Sequence, residues 1–273
     1  MTNPTNKPTV TIAIPAYNEA NYIESVISAF LKQDYPYLQE ILVADGGSLD
    51  GTQDIVNCIS KEYPKVKLLH NPKKIQSAAL NLMLQEAQGE IFLRADAHSE
   101  YAEDYIEKCV DNLVSTNALN VGGAQRFVAQ TSFQSGVALA ARSPIGNGGA
   151  KYRDPKYTGF SDTVFLGCFW HQSLLEVSGY STQVGPNEDA ELNLKLLNKA
   201  SKAIYISSDI NVKYIPRETA KELWIQYFKY GRGRFLTSSK HPKKSPLRTK
   251  IPFLILSLLV ALIILLSLLF NWY

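Results

Sequence analysis

Residues 40–52, Glu40-Ile41-Leu42-Val43-Ala44-Asp45-Gly46-Gly47-Ser48-Leu49-Asp50-Gly51-Thr52, describe a short apolar strand that ends on a carboxylate, then a glycine-rich turn and the start of a helix. A strand with no polar alternation is buried on both faces, as in a parallel sheet covered by helices on either side. The turn has the spacing of a phosphate-binding Gly-x-x-x-x-Gly loop, but Asp50 stands before Gly51 and no Lys follows, so two acids would repel a phosphate. Asp45 at the strand end is suited instead to accept hydrogen bonds, from the imide N–H of a uracil or from a ribose hydroxyl. Asp50 suits either that chemistry or a cap on the following helix.

Outward from this stretch the same unit repeats. The pattern predicts strands at Val10–Pro15, Glu40–Ala44, Val66–His70, Glu90–Leu93 and Leu119–Gly122. It predicts helices between them at Tyr22–Lys32, Thr52–Tyr63, Ser77–Ala87 and Ala102–Ser115, with Gly89 closing the third. Strands alternating with helices of this length give βαβ units and a mostly parallel sheet. Past residue 126 the rhythm changes. Gly136 to Gly159 is rich in small residues and is expected to wrap a ligand. A strand at Val164–Trp170, a helix at Asp189–Ala200, strands at Ala203–Ile206 and Val212–Ile215 and an amphipathic helix at Thr219–Phe235 follow. The last carries Trp224, Tyr227, Phe228 and Phe235 and could lie on a membrane surface.

Open parallel sheets bind ligands at the carboxyl ends of their strands. The first strand leads into Pro15-Ala16-Tyr17-Asn18-Glu19 and the fourth into Arg94-Ala95-Asp96-Ala97-His98. Asp96 and His98 alternate on an extended chain, so both could reach one ion from the same side. A divalent cation there would neutralise a leaving diphosphate. Most lone histidines are not ligands, and His98 is open between the two roles. Farther on, Asn187 is the expected cap of a helix that opens with Glu188 and Asp189. Such acids are ordinarily partners of the helix dipole. Beside the other clusters, a carboxylate able to take a proton from an acceptor hydroxyl is what a group transfer needs.

The chain has 273 residues, 45% of them hydrophobic, enough for one large α/β core. Eight of its 28 Lys and Arg fall in residues 229–250, which hold no acid, leaving 20 basic against 25 acidic side chains elsewhere. That is not the charge pattern of a nucleic-acid binder. Three widely spaced cysteines, Cys58, Cys109 and Cys168, fit a reducing compartment. Residues 1–9 are polar and unlike a signal peptide. Ile251 to Phe270 is an uncharged run of twenty residues, and as a helix would reach the ~30 Å of a bilayer core. The basic strip before it marks that side as cytoplasmic, and Trp272 and Tyr273 stand where interfacial aromatics belong. The expectation is a single-pass protein of the plasma (inner) membrane with a cytoplasmic catalytic domain. With the span ending three residues before the last, a longer natural chain is open.

Taken together, Ile14 to Glu19, Val43 to Thr52, Asp96-Ala97-His98, Glu188-Asp189 and Gln226-Tyr227-Phe228-Lys229-Tyr230 resemble glycosyltransferase family 2 over roughly residues 9–235. Within it, the Arg-x-Asp-Ala-His variant is similar to bacterial exopolysaccharide transferases of the succinoglycan type. The resemblance implies a GT-A fold, an inverting mechanism and a metal-dependent nucleotide-sugar donor, with a UDP-sugar expected. It implies that Pro15, Ala16, Tyr17 and Glu19 line the donor pocket, that Asp45 holds the base, and that Asp96 binds the metal (Mn²⁺ or Mg²⁺). It further implies that Asp189 is the general base, with Glu188, Gln226, Lys229 and Tyr230 closing over donor or acceptor. His98 replaces the family's second Asp, which either shifts the metal preference toward Mn²⁺, because imidazole suits transition metals better than Mg²⁺, or makes the second contact indirect. Lys229-Tyr230 replaces the Arg-Trp of processive members, which argues for single transfers.

The expected organisation is a tail at 1–8, a catalytic domain at 9–235, a basic linker at 236–250 and a transmembrane helix at 251–271. The expected reaction passes a sugar to a hydroxyl of a lipid-linked glycan. The rivals are a polyprenyl-phosphate sugar synthase, a non-catalytic nucleotide-sugar-binding subunit, and a nucleotidyltransferase. The last is disfavoured because residues 16–19 are not a glycine-rich basic loop.

Overall fold

A computed structural model describes residues 7–143, 146, 148–241 and 251–270, the side chains of 252, 253 and 270 apart. Its centre is an eight-stranded sheet of order β3-β2-β1-β4-β9-β6-β10-β8, in which β10 (Ile204–Ile206) and β8 (Gly159–Phe160) form the far edge. The strands that position the site are β1 (Val10–Ala16), β2 (Leu38–Asp45), β3 (Val66–His70), β4 (Ile91–Arg94), β6 (Asn120–Gly123) and β9 (Phe165–Trp170). β3, β2, β1 and β4 run parallel, while β9 runs antiparallel to both of its neighbours, β4 and β6. The sheet is therefore mostly parallel with an antiparallel insertion.

The alternation inside β1, β2 and β4 shows why apolar residues occur at successive positions in their middles. Val10, Ile12 and Ile14 of β1, Ile41 and Val43 of β2 and Ile91 and Leu93 of β4 face one core, shared with helices α1 (Ile23–Leu31) and α4 (Tyr105–Thr116). Ala13, Leu42, Ala44 and Phe92 face the other, shared with α3 (Gln76–Glu86), α6 (His171–Glu176) and α7 (Glu188–Lys199). Helix α1 buries Ile23, Val26, Ile27 and Phe30, the spacing of one helical face. α2 (Thr52–Glu62) connects β2 to β3. β1 has β2 on one side and β4 on the other, which makes its carboxyl end the switch point where such sheets bind ligands.

Several expectations are corrected. The Gly136–Gly159 stretch is not all loop: α5 (Ser132–Arg142) occupies its first part, started by a reciprocal Thr131–Gln134 capping box. A second small sheet, β5 (Glu100–Tyr101), β11 (Val212–Tyr214) and β7 (Arg126–Phe127), includes two strands too short to leave a periodic signal. The helix after it, α8 (Ala220–Lys240), runs beyond residue 235, so the first positions of the expected linker are helical. The rest of that linker, at 242–250, and Trp272 and Tyr273 lie outside the described residues. Ile251–Phe270 forms the helix α9, exposed at every described side chain. Among the described residues no helix is long and apolar enough to cross a membrane.

Gly89 does not cap α3, which ends at Glu86 with Ala87 in extended conformation. Its role is close approach: a Cβ there would lie 2.5 Å from the Thr11 nitrogen and 2.8 Å from the Val10 carbonyl carbon. The Gly89 N–H also donates to Thr11 Oγ1 at 3.0 Å. Gly89→Ala should therefore push β1 off its neighbour and lower stability by about 2–3 kcal/mol in urea unfolding. An unchanged midpoint would show that the strand edge can move aside.

Candidate functional site

At the carboxyl ends of β1 and β2, two loops are laced to each other. Asn18, in the left-handed region at φ 56°, donates its N–H to Ser48 Oγ at 2.8 Å and accepts from the Leu49 N–H at 3.1 Å. Glu19 N–H donates to Thr52 Oγ1 at 2.9 Å, and Ala20 N–H to Asp50 at 3.0 Å. Asp50 thus serves as a tether beside Gly51, the N-cap of α2: it also accepts from the Thr52 hydroxyl at 2.6 Å and the Thr52 N–H at 3.1 Å, and these bonds, the hydroxyl's foremost, lower its pKa. Asp45 is 1% exposed, and its two oxygens accept from the Gly47 and Ser48 N–H groups, the Ser48 hydroxyl and the Gln53 amide. Its direct effect is to shape the turn. Beside that turn the Tyr17 ring is 56% exposed, and a Cβ on Gly46 would come within 3.3 Å of it. Gly46 keeps the ring's flank clear. Lys74, which sequence reasoning overlooked, lies over Gly47 with its Nζ 3.6 Å from where a side chain there would begin.

The second half of the site is built around Arg94, quoted in the sequence motif but given no role. It ends β4 with its side chain 6% exposed, its Nη1 paired with Asp189 and its Nη2 3.3 Å from Asp96. With its amide oriented to suit its neighbours, Gln76 accepts from Arg94 at 2.7 Å and donates to Glu188 at 3.3 Å. Burial opposes the Arg94 charge, but Asp189, Asp96 and, more weakly, Glu188 hold its guanidinium well above its ordinary range. An Arg at the end of an otherwise apolar strand, two residues before an Asp, was the signal available in the sequence.

Asp96 and His98 do not alternate on a strand. β4 stops at Arg94, residues 97–98 form a turn, and the Tyr101 hydroxyl pins it by accepting from the Asp96 N–H at 2.6 Å. His98 Nδ1 lies 3.2 Å from Glu19 Oε1, joining the two halves of the site. That bond raises the His98 pKa against the opposing effect of burial. No group of three or more His, Cys, Asp or Glu among the described residues could hold a metal by itself. Asp96, 18% exposed at the strand end, with His98 close by in sequence, fits an ion that draws its other ligands from phosphate oxygens and water.

A cavity of about 640 Å³ gathers Asp96, His98, Glu188, Asp189, Gln226, Lys229 and Tyr230, along with Arg153, Arg217 and Arg234. Pro15, Ala16, Tyr17, Glu19 and Asp45 lie outside its lining, at the adjoining strand edge. Gln226 donates to the Tyr214 hydroxyl at 3.0 Å and to the Tyr230 hydroxyl at 3.1 Å, which stiffens the α8 wall. Asn187 precedes α7 but makes no side-chain cap, because its amide donates instead to Thr237 of α8 at 2.6 Å.

Burial, with Asp189 adding repulsion, pushes the Glu188 carboxyl up to about 7. Burial raises Asp189 as well, with Arg94 opposing and Asp96 adding; its side chain is 43% exposed into the cavity, so water tempers the effect. A carboxyl raised on folding binds its proton more tightly in the native state. Its contribution therefore favours folding at low pH and is lost as pH rises from about 4.5 to about 7. Glu188→Gln should match wild type at pH 4 and be more stable by ~2–3 kcal/mol at pH 8. Urea unfolding at both pH values checks this, and a pH-independent difference would remove Glu188 as the titrating group.

A model of the family described as "Glycosyl transferase family 2" matches residues 11–173. The succinoglycan biosynthesis protein ExoA of Rhizobium meliloti (strain 1021) is 37% identical over 243 residues, covering 88% of this chain and 73% of that protein. A dolichyl N-acetyl-alpha-D-glucosaminyl phosphate 3-beta-D-2,3-diacetamido-2,3-dideoxy-beta-D-glucuronosyltransferase of Methanococcus voltae is 26% identical over 85% of this chain and 74% of its own. Among solved structures, the mannosyltransferase PcManGT from Pyrobaculum calidifontis, in complex with GDP-Man and Mn²⁺, superimposes with a TM-score of 0.66 at 22% identity. The match covers 91% of this chain and 68% of that one. S. aureus TarS 1–349 in complex with UDP gives a TM-score of 0.62 at 16% identity, over 85% of this chain and 64% of that one. These structures share the GT-A fold, and with the sequence matches they show that the chain is an enzyme belonging to glycosyltransferase family 2.

Proposed function

We propose that this enzyme transfers a sugar, with inversion, from a nucleoside-diphosphate donor to a hydroxyl of a lipid-linked glycan during assembly of an exopolysaccharide or other surface glycan. The observation that carries the reading is the pairing of Asp189 and Asp96 across Arg94 at one end of a cavity walled by Gln226, Lys229 and Tyr230. Relatives named for succinoglycan biosynthesis and for a dolichyl-linked acceptor support it, as do fold neighbours holding GDP-Man and UDP.

The donor nucleotide would rest at the β1–β2 edge, on the exposed Tyr17 ring, with Pro15, Ala16, Glu19 and the turn that Asp45 shapes around it. A UDP-sugar is the expected donor, and the neighbour with GDP-Man keeps a guanine nucleotide in the panel. A divalent cation, Mn²⁺ or Mg²⁺, held by Asp96 with His98 as second donor, would neutralise charge on the diphosphate. Asp189 takes the proton from the acceptor hydroxyl, whose oxygen then forms the bond to the anomeric carbon. The anomeric carbon–oxygen bond breaks, and its electron pair leaves on the nucleoside diphosphate. Arg94 holds one Asp189 oxygen, which fixes the carboxylate and leaves the other oxygen for the proton. Arg153, Arg217, Lys229 and Arg234 line the same cavity and suit an acceptor carrying phosphate.

The basic segment at 229–250 and the apolar helix at 251–270 support anchoring of a catalytic unit, 9–235, at the cytoplasmic face of the plasma membrane. The full chain should stay in carbonate-washed membranes, whereas a chain ending at His241 should be released. Recovery of the full chain in the wash would remove the anchor.

The deciding experiment gives purified full-length enzyme a panel of nucleotide sugars with Mn²⁺ or Mg²⁺ and lipid-linked acceptors. Asp189→Asn should lower kcat by roughly 10²–10⁴-fold while nucleotide Kd stays within about threefold. Unchanged turnover would reject Asp189 as the base. Nucleotide-sugar binding without turnover in the wild type would favour the non-catalytic subunit, and an organic-soluble, mild-acid-labile product the polyprenyl-phosphate sugar synthase.

A further inference from the structure

Glu191 stands one turn beyond Glu188 and Asp189 on α7 and is 0% exposed. Family motifs and the proposed chemistry leave it without a role, yet a fully buried carboxylate is costly unless it is paired. Its partners come mainly from the far end of another helix. Lys240 Nζ lies 2.9 Å and His241 Nε2 3.1 Å from Glu191 Oε1, while Lys195, on α7 itself, lies 3.2 Å from Oε2. Lys240 closes α8, and His241 follows it. These contacts hold the Glu191 pKa down against the opposing effect of burial.

The rest of the α8–α7 contact follows one stripe. Gly233 and Thr237, the buried residues of α8, precede Lys240 at helical spacing. At Gly233 a Cβ would come within 2.8 Å of the Asn187 Cβ and 3.0 Å of the Val184 carbonyl oxygen, so only glycine permits the approach. Thr237 accepts from Asn187 at 2.6 Å, and Lys240 also donates to Ser181 Oγ at 3.3 Å. The first half of α8, by contrast, is mostly exposed, with Trp224 67% and Phe228 62% accessible. That half carries Gln226, Lys229 and Tyr230, the cavity wall facing Glu188 and Asp189.

We infer that Glu191 is a positioning residue that clasps the end of α8 onto the helix bearing the candidate base and thereby sets the distance between Asp189 and the wall at Gln226–Tyr230. The clasp works as a lever. A helix fastened over its last two turns carries its mostly exposed half, which Gln226 also ties to Tyr214, at a fixed angle, so loosening the fastening displaces the wall without touching it. The consequence for transfer rests on the proposed function, whereas the clasp itself does not.

The test has two readouts on the full-length protein. In amide hydrogen exchange, Glu191→Gln should raise exchange at least tenfold across 223–240 and leave β1, β2 and β4 unchanged. Lys240→Met, which leaves Glu191 its His241 and Lys195 partners, should do the same to a smaller extent, and Lys240→Arg should restore protection. In transfer assays, Glu191→Gln should raise the acceptor KM or lower kcat about tenfold, with the donor KM within twofold of wild type. Unchanged exchange across 223–240, exchange raised equally through the sheet, or wild-type acceptor kinetics in a loosened variant would each overturn the inference. A wild-type protein inactive on every donor and acceptor would sink the proposed function, and the exchange experiment would still decide the clasp.

Discussion

One buried guanidinium organises the chemistry of this fold. Arg94 ends a strand whose other residues are all apolar and buried, and it faces carboxylates from two different elements, Asp96 beyond its own strand and Asp189 on α7. An unpaired charge at that depth would be untenable, so strand β4 and helix α7 must meet for either to be stable. The acids profit in the same measure. Asp96, Glu188 and Asp189 would repel one another in one pocket, and Arg94 is the cation that lets them be gathered there. Gln76 of α3 completes the arrangement by bridging Arg94 and Glu188.

Around that pair the site divides into two halves with different mechanics. The β1–β2 edge is stiff, because Asn18, Glu19 and Ala20 on one loop are bonded to Ser48, Thr52 and Asp50 on the other. A preformed edge of this kind suits a rigid nucleotide, whose binding then costs little ordering of the protein. The other half is a wall supplied by α8, anchored near its C-terminal end and mostly exposed near its start. Such an asymmetric helix suits a partner that differs in size and must enter and leave. Glu19 and His98 join the side chains of the two halves by a contact at 3.2 Å.

How much of this was legible in the sequence varied with the physics involved. The strands β1 to β4 fall within two residues of their expected limits; in β1, β2 and β4 burial on both faces demands an apolar run whose ends are easily seen, while β3 is a half-exposed edge strand. Asp45 was correctly placed at a strand end, but its occupation by four donors was not visible, since Gly47, Ser48 and Gln53 become its partners only when the turn closes. The expected pairing of Asp96 with His98 assumed an extended chain, whereas Tyr101, from a two-residue strand, folds that segment into a turn. Helix α5 hid behind a glycine and several small residues, although Thr131 and Gln134 carry a capping-box spacing that could have revealed it.

The sequence by itself determined the alternation of strands and helices, the parallel sheet and the three polar clusters at its carboxyl edge. Those features depend on local periodicity and on residues near in the chain. Tertiary structure alone decided which acids share a cation, that Asn187 binds Thr237 instead of capping its own helix, and that Glu191 is buried against Lys240 and His241. These contacts join residues roughly 50 to 95 positions apart, and no spacing rule encodes them. They exist because the packed cores bring β4, α7 and α8 to one place, where buried charge must find its partner.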